Sequence, residues 1–368
     1  MHSYAAHNPT NIPVAVIGGS GYAGLELVRL LLKHPNCELK ACFSAHASFK
    51  LSDFLPERVA KGIPVLPLDE LPSWNSQLHT VFLSTPPEVS LELAPQILER
   101  GSHVVDLSGA FRLKMGTAAE QAETYQKWYN LDHQALPLLD RAIYGLTPWA
   151  RIPASKHAQL ISNPGCYATT ILMALIPLLR RNWIDPNRIV IDAKSGTSGA
   201  GRTPKENLLF TEVEGECLPY RVGRHQHLPE ICQGASALAG VSISPHFTTH
   251  LLNVRRGIIA GIYAELVLPM TDTELSAAFA EDYSDYGLVQ WSAIDQAESR
   301  TTQYGLSLKR IVGLPDTRIL YRTEGTKLYL FSLIDNLIKG AAGQAVENFN
   351  QLAGLSLKSG LSHLEAIL

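Results

Sequence analysis

A cysteine and two histidines carry the chemistry that this sequence offers. Cys166 stands in "SNPGCYATT", directly before the apolar run ILMALIPLL. Pro164 biases Asn163 toward an extended backbone, and Gly165 permits a sharp turn. A helix beginning near Cys166 would aim its positive end at the sulfur, which predicts a thiol pKa below the free value of ~8.5. Such a thiolate attacks a carbonyl carbon and holds the acyl group as a thioester. Backbone N–H groups at the same helix start can receive the oxyanion. The alternative is a small buried cysteine, and Cys37, Cys42, Cys217 and Cys232 lack this staging and are read that way. "YRVGRHQHLPEI" supplies His225, His227 and Glu230. Either imidazole suits the general acid/base work near neutral pH. Glu230 can orient an imidazole or grip a substrate cation. Cys217 and Cys232 invite a zinc reading, but the spacings match no common pattern, so no metal is expected.

A hydride donor needs its own cradle. "VAVIGG" reads as a buried strand that runs into "GGSGYAGLELV", where Gly18, Gly21 and Gly24 give G-x-x-G-x-x-G. Strand before and helix after make this a dinucleotide loop, with Gly18, Ser20, Gly21, Tyr22, Ala23 and Gly24 as expected contacts. The second strand ends in "CFSAHASFK", which offers Ser44, His46, Ser48 and Lys50 and no carboxylate. Hydroxyls and a cation there favour NADP over NAD. "AKSGTSGAGRTPKE" follows another strand and comes within one residue of a P-loop, but it lacks the lysine that reaches terminal phosphates. With Arg202 this turn suits a phosphate or the nicotinamide end of a cofactor; otherwise it is a flexible turn.

The elements that must position these groups alternate in the first third of the chain. "LELVRLLLKHP" and "SLELAPQILERG" are predicted helices between the predicted strands "ELKACFS", "TVFLSTP" and "HVVDLSG", which implies a parallel, doubly wound α/β Rossmann-type sheet. Past Cys166 come longer strands, "RIVIDAKSG", "GIIAGIYAELVLP" and "TKLYLFSLIDN", which predict an α+β second domain on a mixed or antiparallel sheet. Near the end, Leu337, Ala341, Ala345 and Phe349 fall at helical spacing, and this small-residue helix is expected to dock back on the first domain. At 368 residues the chain is too long for one ordinary core. A formal net charge of −3 without long runs of like charge points away from nucleic acid and membrane surfaces. Five cysteines, with no secretory or transit signal, point to a reducing compartment, so a cytoplasmic protein is expected. The first ten or so residues read as a disordered tail. The longest apolar stretch is interrupted by Pro177 and is shorter than the ~20 residues of a membrane span.

Taken in order, "GGSGYAGLELVRLLLKHP", "VVDLSGAFRL", "YGL", "SNPGCYATT", "KSGTSGAGR", "HQHLPEI", "RGIIAGIYA" and "IDNLIKGAAGQAVENFN" resemble the N-acetyl-γ-glutamyl-phosphate reductases of arginine biosynthesis, which are related in fold to aspartate-semialdehyde dehydrogenase. The resemblance covers nearly the whole chain. It implies NADPH-dependent reduction of an acyl phosphate, N-acetyl-γ-glutamyl phosphate, to N-acetylglutamate 5-semialdehyde and phosphate through a thioester on Cys166, with one of His225 and His227 as acid/base and the lean to His225. It implies further cofactor contacts at Ser44, Ser198, Gly199 and Asn336, and substrate contacts at Arg112, Ser108, Asn163 and Arg202. Arg112 would hold a carboxylate or phosphate, or else form a structural ion pair with Asp106. The implied organisation is a cofactor domain over 12–164, completed by a C-terminal helix at 336–368, and a catalytic and oligomerisation domain over 165–335. The implied assembly is a homotetramer built as a dimer of dimers. The chain departs from the family pattern at "YGLTPWAR", at "HLLNVRRG" and after "LPDTR". The alternatives are an aspartate-semialdehyde or other phosphorylating aldehyde dehydrogenase, and a cofactor-binding protein without turnover.

Overall fold

The computed structural model describes residues 11–45, 49–153, 155, 157–295 and 299–366. The expected N-terminal tail therefore lies outside the described residues. Apolar strands followed by amphipathic helices build a first sheet from β1 (Ile12–Ile17), β2 (Cys37–Ser44), β3 (Val65–Pro67), β4 (Thr80–Leu83), β5 (His103–Asp106), β6 (Ile143–Tyr144) and β7 (Leu160–Ser162). Its order is β3-β2-β1-β4-β5-β7-β6, and every neighbouring pair is parallel. The central strands are buried on both faces, as parallel strands with covered faces must be. The helices Tyr22–Leu31 and Pro87–Glu99 are among those that supply the cover.

The second sheet takes β8 (Ile184–Gly196), β9 (Cys217–Tyr220), β10 (His246–Leu252), β11 (Ile258–Leu266), β12 (Val289–Ala293), β13 (Thr317–Glu324) and β14 (Lys327–Ile334). The order is β12-β13-β14-β11-β8-β10-β9. It is mixed, as expected: β12 with β13 and β8 with β10 are parallel, and the other pairs are antiparallel. The helix Cys166–Leu179 lies on this sheet, and every residue after Cys166 in it is buried. A helix apolar on all sides belongs in a core. Only its first turn reaches the boundary between the two sheets.

The chain returns to the first sheet at its C-terminal end, but not as one regular helix. A π-turn over Ile338–Ala342 precedes the α-helix Gly343–Leu352, and turns follow. The wider π-turn shifts the buried stripe by one residue. Ala342, Ala345, Val346 and Phe349 pack against Val14, Val16, Leu27 and Phe82, while Leu337 and Ala341 line a cavity instead of the core. The spacing of 337, 341, 345 and 349 therefore marks two different faces. Asp335 starts the turn by accepting the N–H groups of Leu337 at 2.8 Å and Ile338 at 3.1 Å.

Inside the π-turn Lys339 is wholly buried, with Glu347 two turns on as its ion-pair partner at 2.9 Å. Its ammonium also donates to the Tyr286 hydroxyl at 2.6 Å and to the carbonyl and hydroxyl of Thr147, each at 3.2 Å. Thr147 follows the first sheet's β6, and Tyr286 belongs to the second sheet's helical layer, so one cation ties three parts of the chain.

Candidate active site

Gly18 and Gly24 make the dinucleotide loop possible. Gly18 has φ +85°, and a side chain there would meet the Ser84 carbonyl oxygen at 2.3 Å. Gly24 packs directly on the Gly18 carbonyl. The helix Tyr22–Leu31 begins with no side-chain cap and no acidic residue in its first turn. Its free N–H groups are therefore open to an anion, which fits a cofactor pyrophosphate.

Across the boundary, Gly165 caps the helix that starts at Cys166. A side chain at Gly165 would come within 2.4 Å of His227 Nε2 and 2.8 Å of Arg112 Nη1. Only glycine therefore lets the imidazole and the guanidinium lie over the turn that leads into the nucleophile. Glu230 fixes this arrangement from below. One carboxylate oxygen accepts the Gly165 N–H at 2.7 Å and the Tyr144 hydroxyl at 2.9 Å. The other faces Arg112 Nη1 at 3.6 Å. Arg112 further donates through Nε to the Asn163 carbonyl and through Nη2 to the Leu107 carbonyl, both at 2.9 Å. Burial disfavours its charge, but Glu230 beside it holds its pKa above the ordinary value, so Arg112 is a permanent cation next to the sulfur.

The two imidazoles differ. His225 accepts the His227 backbone N–H on Nδ1 at 3.1 Å. Its ring sits edge-on among Tyr167, Tyr220 and Phe247, with centroids 5.1–5.6 Å away. Burial, with Arg221 nearby, drives its pKa down to about 3. His227 Nε2 lies 3.4 Å from Arg112 Nη1. A guanidinium can only donate, so Nε2 carries the lone pair and the proton sits on Nδ1. Burial first, then His225 and the two arginines, keep His227 neutral at rest.

The sulfur departs from the sequence expectation. Burial pushes the Cys166 thiol up to about 11, against the pull of Arg112 and of the Tyr167 N–H. The helix terminus favours thiolate, but desolvation wins. Inactivation by iodoacetamide is accordingly expected to climb steadily as pH rises from 7 to 10. A rate already level below pH 8 would show that the terminus prevails over burial.

Cys166, His225, His227, Arg112, Ser108, Gly21, Tyr22, Ala23, Ser198, Gly199, Asn336 and Arg202 all line one cavity of about 860 Å³ between the two sheets. Models described as the semialdehyde dehydrogenase NAD binding domain and the semialdehyde dehydrogenase dimerisation domain match residues 13–157 and 166–336. N-acetyl-gamma-glutamyl-phosphate reductase of Halalkalibacterium halodurans is 37% identical over 349 residues, 95% of this chain and 97% of that protein. The Geobacillus thermodenitrificans reductase is 38% identical over 352 residues, 95% and 98% of the two chains. The chain belongs to the N-acetyl-gamma-glutamyl-phosphate reductase family.

Solved structures similar to this family member share its fold. Aspartate semialdehyde dehydrogenase II from Vibrio cholerae has a TM-score of 0.65 at 18% identity, covering 94% of this chain and 98% of its own. The Candida albicans aspartate semialdehyde dehydrogenase with NADP gives 0.62 at 16%, covering 95% and 99%.

Several residues singled out in this reductase sequence lie off the cavity wall. Gly18, Gly24 and Ser20 build the loop beneath it; the Ser20 carbonyl accepts Arg202 Nη1 at 3.0 Å. Arg202 also stacks 4.0 Å over the Phe54 ring, so it holds the glycine loop across the boundary. Asn163 is buried, and its side chain is engaged by the Ala341 carbonyl at 3.2 Å and by Asn348 at 3.0 Å, which leaves it no face toward a substrate. Glu230 is likewise fully buried behind the wall. Ser44 is buried at the end of β2, Lys50 is exposed, and His46 and Ser48 lie outside the described residues. Arg112 pairs with Glu230; Asp106 accepts the Ser90 hydroxyl at 2.8 Å and the Ser108 hydroxyl at 2.8 Å instead. Ser108 thus pins the turn at the end of β5. Ser198 accepts the Asn336 amide at 3.0 Å, while Asn336 accepts the Gly257 N–H at 2.7 Å. Tyr144 and Gln233 carry no signal in the sequence. Gln233 accepts the Lys114 N–H at 2.6 Å and donates to the Arg112 carbonyl at 2.8 Å, fixing the Arg112 loop to the histidine helix. Among the described residues no three His, Cys, Asp or Glu side chains gather as a metal would need, and no helix is long and apolar enough to cross a membrane.

Proposed function

We propose that this chain reduces N-acetyl-γ-glutamyl phosphate to N-acetylglutamate 5-semialdehyde and phosphate in arginine biosynthesis, with Cys166 as nucleophile and NADPH as the favoured cofactor. The observation that carries the proposal is the single cavity that holds a cysteine at a helix start, an imidazole lone pair, a buried cation and a dinucleotide loop. His227 is the favoured acid/base, because its Nε2 lies over Gly165 and its lone pair is defined by Arg112. Attack joins the Cys166 sulfur to the acyl carbon as the thiol proton passes to His227 Nε2. The N–H groups of Cys166 and Tyr167 stand ready for the oxyanion; the acyl carbon–oxygen bond then breaks, Arg112 opposes the charge of the departing phosphate, and the imidazolium gives that phosphate its proton. The nicotinamide, when bound, supplies the hydride that reduces the thioester carbon. The carbon–sulfur bond then breaks, the aldehyde leaves, and the sulfur is released as thiolate, which regains its proton from solvent.

Glu230 acts as a positioning residue through Gly165 and Arg112. Residues 12–164 with the segment from 336 onward make the cofactor half, and 165–335 make the catalytic and oligomerisation half. The match of 166–336 to a dimerisation domain supports a homo-oligomer, and a dimer of dimers is the finer proposal. In the oxidative direction, with phosphate present, N-acetylglutamate semialdehyde and NADP are expected to support turnover, with NAD used less well. Activity confined to aspartate semialdehyde would overturn the substrate assignment, and equal use of NAD would overturn the cofactor preference.

A further inference from the structure

We infer that Arg221 recognises the carboxylate of the substrate and so decides which aldehydes and acyl phosphates the site accepts; this rests on the reaction proposed above. Among the described residues the cavity wall carries four permanent cations, Arg112, Arg202, Lys205 and Arg221, and no carboxylate. The substrate brings two anionic ends, the reacting acyl phosphate and a distant carboxylate. Arg112 lies at the reacting end, beside His227 and Gly165. Arg202 is engaged by the Ser20 carbonyl and the Phe54 ring at the cofactor loop. Arg202 and Lys205 also line a neighbouring hollow on the outer side of that loop, which Arg221 does not reach. Arg221 remains, on the wall that carries His225 and His227.

Its backbone marks it out independently. Arg221 follows Tyr220, the residue at which the β9–β10 ladder ends opposite Thr249. It sits at φ +46° and opens the turn closed by the Arg224 N–H at 2.9 Å. The other non-glycine residues with positive φ among those described are Asn11, Asn130 and Asn182. Asparagine tolerates that region, whereas a long side chain is strained in it. Arg221 Nη1 donates to the side-chain oxygen of Gln226, a neutral acceptor also on the wall. No acidic side chain neutralises Arg221 among the described residues, so its fork is available for bidentate pairing with a carboxylate.

The test compares N-acetylglutamate 5-semialdehyde with 4-acetamidobutanal, the same aldehyde without the carboxylate, in NADP-linked oxidation with phosphate. Wild type is expected to favour the semialdehyde in kcat/KM. Arg221→Gln is expected to lose about 10- to 100-fold on the semialdehyde through KM, with a much smaller change on 4-acetamidobutanal and the KM for NADP unchanged. Arg221→Gly, which relieves the backbone, is expected to lose the same discrimination, which separates recognition from strain. Equal losses on both aldehydes in either variant, or no loss on the semialdehyde, would overturn the assignment. A wild-type enzyme inactive on the semialdehyde would instead remove the underlying reaction.

Discussion

Cys166→Ser is expected to lower turnover by roughly 10⁴-fold or more while cofactor binding stays intact. The hydroxyl keeps the size and position of the thiol at the helix start, but it is a far poorer nucleophile toward a carbonyl under a weak base. The pyrophosphate cradle at Gly18–Gly24 is made of backbone on the opposite sheet and does not touch this side chain. His227→Gln is expected to lose in the same direction, by about 10²- to 10⁴-fold. In the double variant the two losses should not add, because the imidazole works only through the sulfur. Steady-state rates and quenching of tryptophan emission by NADPH measure both halves of the expectation. A serine variant that turns over at the wild-type rate would remove the thioester route. Full additivity would place His227 outside the proton path.

Lys339→Met is expected to destabilise the fold by about 3–5 kcal/mol, the cost of leaving one member of a buried pair without its partner. Glu347 would be left buried without its ion-pair partner, facing only the Tyr286 and Thr147 hydroxyls. Replacing both partners, as Lys339→Met with Glu347→Leu, should recover much of the loss, because two apolar groups of similar volume leave no buried charge. Urea unfolding of the three proteins decides this. A single variant that unfolds within about 0.5 kcal/mol of wild type would mean that the pair is reached by water.

The parts of the site made from consecutive residues were legible in the sequence. The dinucleotide loop needs a strand, close-packed glycines and a helix in one run, and the structure has β1, the Gly18–Gly24 turn and the Tyr22–Leu31 helix in that order. The cysteine at a helix start was equally local, since Pro164 and Gly165 announce the turn. The state of its sulfur was not, because desolvation depends on what covers it. Arg112 showed its charge but not its partner: Glu230 comes from a helix more than a hundred residues later, and no spacing rule joins them. The family resemblance implied a substrate contact at Asn163, yet residues 341 and 348 take up its amide. The π-turn was hidden for a related reason. Its sequence has the spacing of an ordinary helix, and the partners of the Lys339 buried within it, Thr147 and Tyr286, come from distant parts of the chain.

The cover that residues 342–361 lay over the first sheet sets the order in which this protein can be made. Strands β1, β4 and β5 leave the ribosome early, yet the side chains that shield one of their faces are synthesised only after the whole second sheet. Until then the Tyr22–Leu31 helix covers only part of the face that carries Val14, Val16 and Phe82. The apolar core of the first sheet is therefore completed only after the second sheet has been synthesised, when residues 342–361 dock on it.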